Sequence, residues 1–358
     1  MSQALQLARN AGTDVLPNPR VGCVVVRDGH VVGHGYHRTF GGPHAEVEAL
    51  ATAGVAAKGS TAYVTLEPCN HHGKTGPCTQ ALIASGVSHV VVGCLDPNPV
   101  VAGSGVAQLR EAGMLVEVLD LAAARELIED FAVIIRSPRP YLALKMALSM
   151  DGFIAATRGE RQTLSSQAWF DRVRHLRIDH DAVLVGAGTV RIDDPLLTVR
   201  PEAQRARPFQ RIVACETDAV PAHSHIFEAV RGYARTIVLA PAGMMDRFAH
   251  LQSVADVLAI GESDSKCLDL GAAVRSLRAD RGIFSILCEG GPTLGARCIA
   301  ERLVDRFHWA IAPRLLANSE AVPVLAGANL AQLKLHAHFD HCDLLGEDVV
   351  MSGTFHYV

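Results

Sequence analysis

Apolar and polar positions along the first 140 residues change period repeatedly, and each change marks an element. Residues 2–11 carry apolar side chains at helical spacing. Two valine-rich runs, Val21–Val26 and Val31–Gly35, flank Asp28-Gly29, a pair that closes a two-residue hairpin. The pattern then predicts a helix from about His44 to Ala53, a strand at Ala62–Leu66, a helix over Cys78–Ser85 and a strand at Val90–Val92. A helix at Gly105–Ala112, a strand at Leu115–Leu119 and a helix at Ala122–Ile135 complete the series. Strands alternating with short helices predict a layered α/β domain with a largely parallel sheet.

Ser137-Pro138-Arg139-Pro140 breaks the pattern, because two prolines interrupt helix and sheet alike. Beyond it, apolar strand candidates recur at 141–147, 182–186, 211–215, 236–240 and 284–288, with helical stretches near 167–177, 269–279 and 293–303. A second α/β domain is expected, which divides the chain into 1–139 and 140–358.

Composition narrows the class. With 358 residues, 49% apolar and 20% charged, the chain is large enough for two folded domains. A formal charge of −4, with both signs interspersed, argues against a nucleic-acid partner but allows a local basic pocket for a phosphorylated small molecule. The N-terminus lacks a basic, apolar leader, and no apolar run approaches the ~20 residues that span a bilayer. A cytoplasmic protein without a membrane partner is therefore expected. Nine cysteines without a secretory signal read as reduced thiols, so a close Cys/His group points to a metal.

His44-Ala45-Glu46, Glu67-Pro68-Cys69 and Pro77-Cys78 supply such a group. Catalytic zinc takes three protein ligands and leaves one position for water, whose pKa it lowers to about 7. His44, Cys69 and Cys78 provide one imidazole and two thiolates. Glu46, one helical half-turn beyond His44, suits a carboxylate that moves protons between that water and a departing amine. Zinc deaminases share His-x-Glu followed by Pro-Cys-x-x-Cys. Here eight residues separate the cysteines, and the inserted loop carries His71, His72 and Lys74. Plainer accounts stand beside these: His-Ala-Glu is a common helix start, and the cysteines suit core thiols or a structural zinc.

Together with Pro17-Asn18-Pro19-Arg20-Val21-Gly22, Gly35-Tyr36-His37, Gly42-Pro43-His44-Ala45-Glu46-Val47, Tyr63–Cys69 and Asp96-Pro97-Asn98-Pro99, these segments give a specific likeness. Across nearly its whole length the chain resembles the bifunctional deaminase–reductases of riboflavin biosynthesis. The resemblance implies a cytidine-deaminase-like three-layer domain followed by a dihydrofolate-reductase-like domain. It implies zinc-dependent deamination of 2,5-diamino-6-ribosylamino-4(3H)-pyrimidinone 5′-phosphate, with one Zn2+ per chain. NADPH reduction of the product's ribosyl group to ribityl would follow. Asn18, His37, Asp96 and Asn98 would contact the pyrimidine or ribose, and His71 and Lys74 the loop-side groups. Asn18 and Asn98 also suit plain Asn-Pro turns, and Lys74 a solvated loop cation.

In the second half, Leu144–Gly152, Val185-Gly186-Ala187-Gly188-Thr189-Val190, Asp193–Arg200 and Glu289-Gly290-Gly291-Pro292-Thr293-Leu294 carry the resemblance. It implies that Lys145, Ser165, Arg177, Asp193, Arg200 and Glu289 hold the phosphorylated substrate, with Asp193 or Lys145 as proton source. Gly186, Gly188, Gly290 and Gly291 follow apolar strands, where glycine admits a cofactor phosphate or simply makes a turn. Thr163 and Thr189 join them as implied cofactor contacts. A Gly-x-Gly-x-x-Gly fingerprint is missing, so an ordinary Rossmann reading has no support.

The chain also departs from the family. Lys74 replaces a usual Arg, Ser104 and Ile128 replace a frequent basic residue and Asn, and Arg161, Thr163, Cys215 and Ala317 replace Ser, Trp, Asp and Gly. The last four are expected near the cofactor groove. They motivate an alternative, a deaminase whose degenerate second half is a scaffold or oligomer interface. A tRNA-type base editor would need a basic face, and a structural-zinc protein would be indifferent to Glu46. Phosphorylated pyrimidines are the expected partners, and a homo-oligomer, dimer or tetramer, the expected assembly.

Overall fold

The computed structural model describes residues 1–71, 76–199, 205–216, 220–262 and 267–357. It divides into two units, Met1–Ser137 and Pro138–Val358.

In the first unit, α1 (Ser2–Arg9) precedes the hairpin β1 (Gly22–Arg27) and β2 (His30–Tyr36). Asp28 and Gly29 have φ of 51° and 78°, the left-handed pair a tight hairpin requires. Next come α2 (Ala45–Ala53), β3 (Thr61–Val64), α3 (Cys78–Ala84), β4 (His89–Val92), α4 (Ser104–Glu111) and β5 (Leu115–Val118). The last expected helix is two, α5 (Ala122–Leu127) and α6 (Glu129–Arg136), because Ile128 leaves helical geometry at φ −115° and turns into the core.

The strands run in the order β2-β1-β3-β4-β5. β1 is antiparallel to both β2 and β3, while β3–β4 and β4–β5 are parallel. The sheet is thus mixed, not largely parallel, because the hairpin joins the same sheet as the strand–helix–strand units. Helices cover both faces. A Cβ on Gly22 would lie 2.1 Å from the Ala4 carbonyl oxygen of α1. Gly35 pairs with the next residue, Cys23, and so faces the other way; its Cβ would lie 2.8 Å from the Ala45 carbonyl of α2. This is the expected three-layer arrangement. The close approach of α2 to β2 is what sets His44 and Glu46.

The second unit contains β6 (Tyr141–Ser149), β7 (Phe153–Ala155), α7 (Gln167–Ile178), β8 (Ala182–Gly186), α8 (Ala187–Asp193), β9 (Gln210–Ala214), β10 (Ile237–Pro241) and β11 (Asp256–Ile260). After these come α9 (Leu270–Arg281), β12 (Ser285–Gly290), α10 (Pro292–Ala300), β13 (Arg306–Ala312), β14 (Val322–Pro323), β15 (Leu335–Leu345) and β16 (Asp348–Tyr357). Nine strands form one sheet, ordered β11-β10-β9-β8-β12-β6-β13-β16-β15. Pairings are parallel from β11 through β13 and antiparallel from β13 through β15. Leu142, Leu144, Leu184 and Ile212 pack on one face, and Val183, Val185, Val213 and Val238 on the other. Both faces are buried, as parallel sheets require.

The β15–β16 ribbon contains a bulge. Phe339 pairs with Gly353 and His341 with Ser352, which leaves Asp340 as the extra residue. Asp340 reaches the Arg306 guanidinium at 3.0 Å. Among the described residues no helix is long and apolar enough to cross a membrane.

Candidate active sites

His44 caps α2 from an extended backbone, so its ring stands clear of the helix while Glu46 enters the first turn. Cys78 opens α3, and its amide donates to Cys69 Sγ at 3.4 Å. His44 Nδ1 lies 3.3 Å from Cys78 Sγ and 3.6 Å from Cys69 Sγ. The three donor atoms all fall within 4.8 Å of one another, and among the described residues no other such group of His, Cys, Asp or Glu occurs. A hydrogen bond from Cys78 draws the Cys69 thiol well below its usual range, and the same contact pushes Cys78 up. Two crowded sulfurs and an imidazole, one sulfur readily ionised, are the donors a borderline-soft dication takes. The residues therefore fit zinc. Glu46 is buried and does not belong to the ligand set; burial, then the neighbouring Cys69 charge, pushes its carboxyl up to about 7.

His37 is buried, its ring 5.2 Å from that of His44. Its Nδ1 faces the Pro43 carbonyl at 2.9 Å and its Nε2 faces the Asn18 amide nitrogen at 3.1 Å. Because a carbonyl only accepts, the ring carries its proton on Nδ1 and accepts from Asn18. Burial holds His37 below its usual range, which favours that neutral form. His71 and Asp96 line a small cavity beside Cys69. Asn98 is not among its lining residues; its Oδ1 accepts the Val100 amide. Lys74 lies outside the described residues.

The sequence reading missed Glu67. Its carboxylate accepts four backbone amides, from Asp96, Gly103, Gly105 and Val106, at 2.8–3.1 Å. Its place two residues before Cys69 was the only available signal.

In the second unit, Gly186 and Glu289 lie at the carboxyl ends of β8 and β12, where α/β sheets present ligand sites, and Lys145 stands midway along the neighbouring parallel strand β6. They line a cavity of about 930 Å³ together with Thr163, Ser165, Arg177, Gly188, Thr189, Asp193 and Gly291. Arg177 binds Glu289 through Nε and, at 2.9 Å, Nη2, while Lys145 Nζ stands 3.9 Å away. Lysine and arginine on this wall, glycines that bare the backbone, and the cavity's size fit a phosphorylated substrate beside a phosphorylated cofactor. The residues therefore fit NADPH.

Three of the expected positions do not themselves line the cavity. Gly290 is not among the lining residues: it is buried at φ 69°, its carbonyl accepts the Thr189 hydroxyl at 3.0 Å, and a Cβ would lie 2.9 Å from Met146 Sδ. Cys215 belongs to the apolar core behind the cavity, although Ala214 and Glu216 on either side line it. Ala317 is exposed and outside the lining. Arg161 and Thr163 do line the cavity, and Arg200 lies outside the described residues.

A deaminase-type metal centre in one unit and a cavity for phosphorylated ligands in the other define a two-domain deaminase–reductase. Residues 1–94 match the cytidine and deoxycytidylate deaminase zinc-binding region, and residues 140–351 match the RibD C-terminal domain. The riboflavin biosynthesis protein RibD of Escherichia coli (strain K12) is 39% identical over 332 residues, covering 89% of this chain and 88% of the relative. Acinetobacter baumannii RibD, form 1, superposes with a TM-score of 0.80 at 33% identity, over 99% of this chain and 97% of that one. A Thermotoga maritima diaminohydroxyphosphoribosylaminopyrimidine deaminase/5-amino-6-(5-phosphoribosylamino)uracil reductase gives 0.79 at 31% identity, over 99% and 97%.

The chain belongs to the RibD family, the bifunctional zinc-dependent deaminases and NADPH-dependent reductases of riboflavin biosynthesis. These matches run through both halves, so the deaminase-only alternative finds no support.

Proposed function

We propose that the first unit deaminates 2,5-diamino-6-ribosylamino-4(3H)-pyrimidinone 5′-phosphate and that the second reduces the ribosyl group of 5-amino-6-(5-phosphoribosylamino)uracil to ribityl. The observation that carries the reading is geometric: one imidazole and two thiols stand in ligating reach of one another, and Glu46, buried beside them, is not part of that set. His44, Cys69 and Cys78 would hold a zinc ion, which would supply an activated water. Glu46 accepts the proton that the attacking water loses and delivers it to the amine nitrogen, which departs as ammonia. The Asn18–His37 pair and Asp96, with His71, Lys74 and Asn98 from the flanking loops, orient the ring.

In the second unit, Arg177 and Lys145, with Ser165 and Arg200, hold the substrate, and Glu289 keeps both cations in place. Thr163, Gly186, Gly188, Thr189 and Gly291 would cradle NADPH, which would supply the hydride for reduction at C1′. Ring opening then needs a proton at O4′. Asp193, raised by burial, and Lys145, lowered by burial, are the two candidates for that role.

The test supplies the diaminopyrimidinone phosphate with and without NADPH. Ammonia release in both cases, and NADPH oxidation only after it, supports the reading; a protein that releases no ammonia defeats it. We also propose a cytoplasmic homo-oligomer, dimer or tetramer. Nine free cysteines support a reducing compartment, and light scattering on the purified protein measures the assembly.

A further inference from the structure

Glu67 sits between Leu66 and the ligand-bearing turn at Pro68-Cys69, and it is 5% exposed. Oε2 accepts from the amides of Asp96 at 3.1 Å and Gly103 at 2.9 Å, and Oε1 from those of Gly105 at 2.8 Å and Val106 at 3.1 Å. These donors bracket the segment that leaves β4 and enters α4. The same segment is also tied by Arg136, which donates to the Pro97 carbonyl from Nε at 3.1 Å and Nη2 at 2.8 Å. Between the two ties, Asp96 Oδ1 accepts the Asn98 amide at 2.8 Å. Asp96, Glu67, Cys69 and His71 line one small cavity.

We propose that Glu67 is a positioning residue for deamination: it fixes the backbone of Asp96 so that the Asp96 carboxyl meets the polar edge of the pyrimidine. This rests on the reading of the first unit as a deaminase with Asp96 as a substrate contact. Glu67 thereby sets substrate affinity, and leaves metal content and proton transfer at Glu46 alone. The chemistry of the side chain carries the argument. A carboxylate presents two oxygens, each able to accept two amides. A glutamine presents one oxygen and turns its own N–H donors toward one amide pair. If that pair is Asp96 and Gly103, like donors face each other in a buried site, and the Asp96 end of the segment moves off.

The test uses the full zinc-loaded chain and the diaminopyrimidinone phosphate. Glu67→Gln is expected to raise the KM for ammonia release about tenfold, the scale of one buried hydrogen bond, with kcat and zinc per chain nearly unchanged. NADPH oxidation on the deaminated product, a reaction of the other unit, reports that the chain is folded. Asp96→Asn is expected to raise KM as well. Because Glu67 acts through Asp96, the double variant should have the KM of Asp96→Asn alone, where independent roles would multiply. A purely structural carboxylate would lower zinc content or stability and give multiplicative effects. Either result overturns the proposal, as does an unchanged KM in Glu67→Gln or Asp96→Asn. Arg136→Gln loosens the same segment from an exposed position and should raise KM in the same direction. If Glu67→Gln does not fold, an unchanged KM in Arg136→Gln overturns the proposal by itself. A wild-type chain that releases no ammonia instead defeats the deaminase reading beneath it.

Discussion

Arg177 and Glu289 meet fork to fork, 112 positions apart in sequence, with two guanidinium nitrogens donating to the two carboxylate oxygens. Burial alone would raise the Glu289 carboxyl, but Arg177 and then Lys145 hold it below its usual range. The same burial lowers Lys145, which Glu289 opposes. Arg177→Lys keeps the charge and loses the fork. It is expected to reduce reductase kcat/KM by roughly a hundredfold, the scale of a lost charge-assisted contact. NADPH oxidation measures that loss, and ammonia release should be untouched.

Glu46→Gln should keep its zinc and lose deamination by several orders of magnitude, because one residue serves as both base and acid. Metal analysis paired with ammonia release checks both halves of the statement. A fully active variant removes Glu46 from the chemistry.

Replacing Cys69 or Cys78 with serine should strip the metal itself, since a hydroxyl is a poor substitute for a thiolate ligand. Ammonia release then stops, while NADPH oxidation on the deaminated product continues. A strong chelator should reproduce the pattern in the wild-type chain, and added zinc should reverse it.

Gly35→Ala tests how the metal centre is held. The added Cβ would stand 2.5 Å from Glu48 Cβ and 2.8 Å from the Ala45 carbonyl, so α2 must back away from β2. A cost of about 1–3 kcal/mol is expected, as for overpacked cores. Zinc affinity should fall with it, because His44 caps the displaced helix. Thermal melting and zinc titration read the two effects.

His308 supplies the pH dependence. Burial first, then His180 and Arg306, press it down to about 3, and its Nδ1 lies 2.8 Å from the Ser352 hydroxyl. Between pH 6.5 and 3 the unfolded chain binds a proton that the folded chain refuses. This contribution to stability is therefore complete above about 6.5 and lost as pH falls through that window. His308→Gln, which keeps a hydrogen-bonding partner for Ser352, should flatten the acid limb of stability against pH by up to one proton per molecule. Denaturant unfolding at several pH values measures the slope.

The metal centre was readable because its signals are local: His44-Ala45-Glu46 and the two Pro-Cys pairs fall at strand ends and helix starts. Glu67 was not, because its four partners lie 29–39 positions away and are backbone amides, which carry no residue signature. Strands with apolar runs, such as Ala182–Gly186, followed from pattern alone. β13 did not, because buried Arg306 and His308 interrupt its apolar face. β15 did not, because it is an almost wholly exposed strand rich in His and Asp. Arg161 and Thr163 line the cavity, and Cys215 stands between two residues that do while its own side chain enters the core. Cys215 directly follows the buried strand β9, and which of two neighbouring positions faces a cavity depends on the sheet around them.

The Asp340 bulge gives its carboxylate to Arg306 and adds one residue to the β15–β16 ribbon. Its pairing is pinned at the turn between Leu345 and Asp348 and again at the bulge, where a Cβ on Gly353 would lie 1.8 Å from the His338 carbonyl. Exchanging exposed histidines there should be nearly silent. Deleting Asp340 would leave Phe339 opposite Gly353 and His341 opposite Ser352 in an unbroken ladder, and would remove the carboxylate that reaches Arg306. The extra position therefore matters for the carboxylate it carries, while the faces of the ribbon do not depend on it.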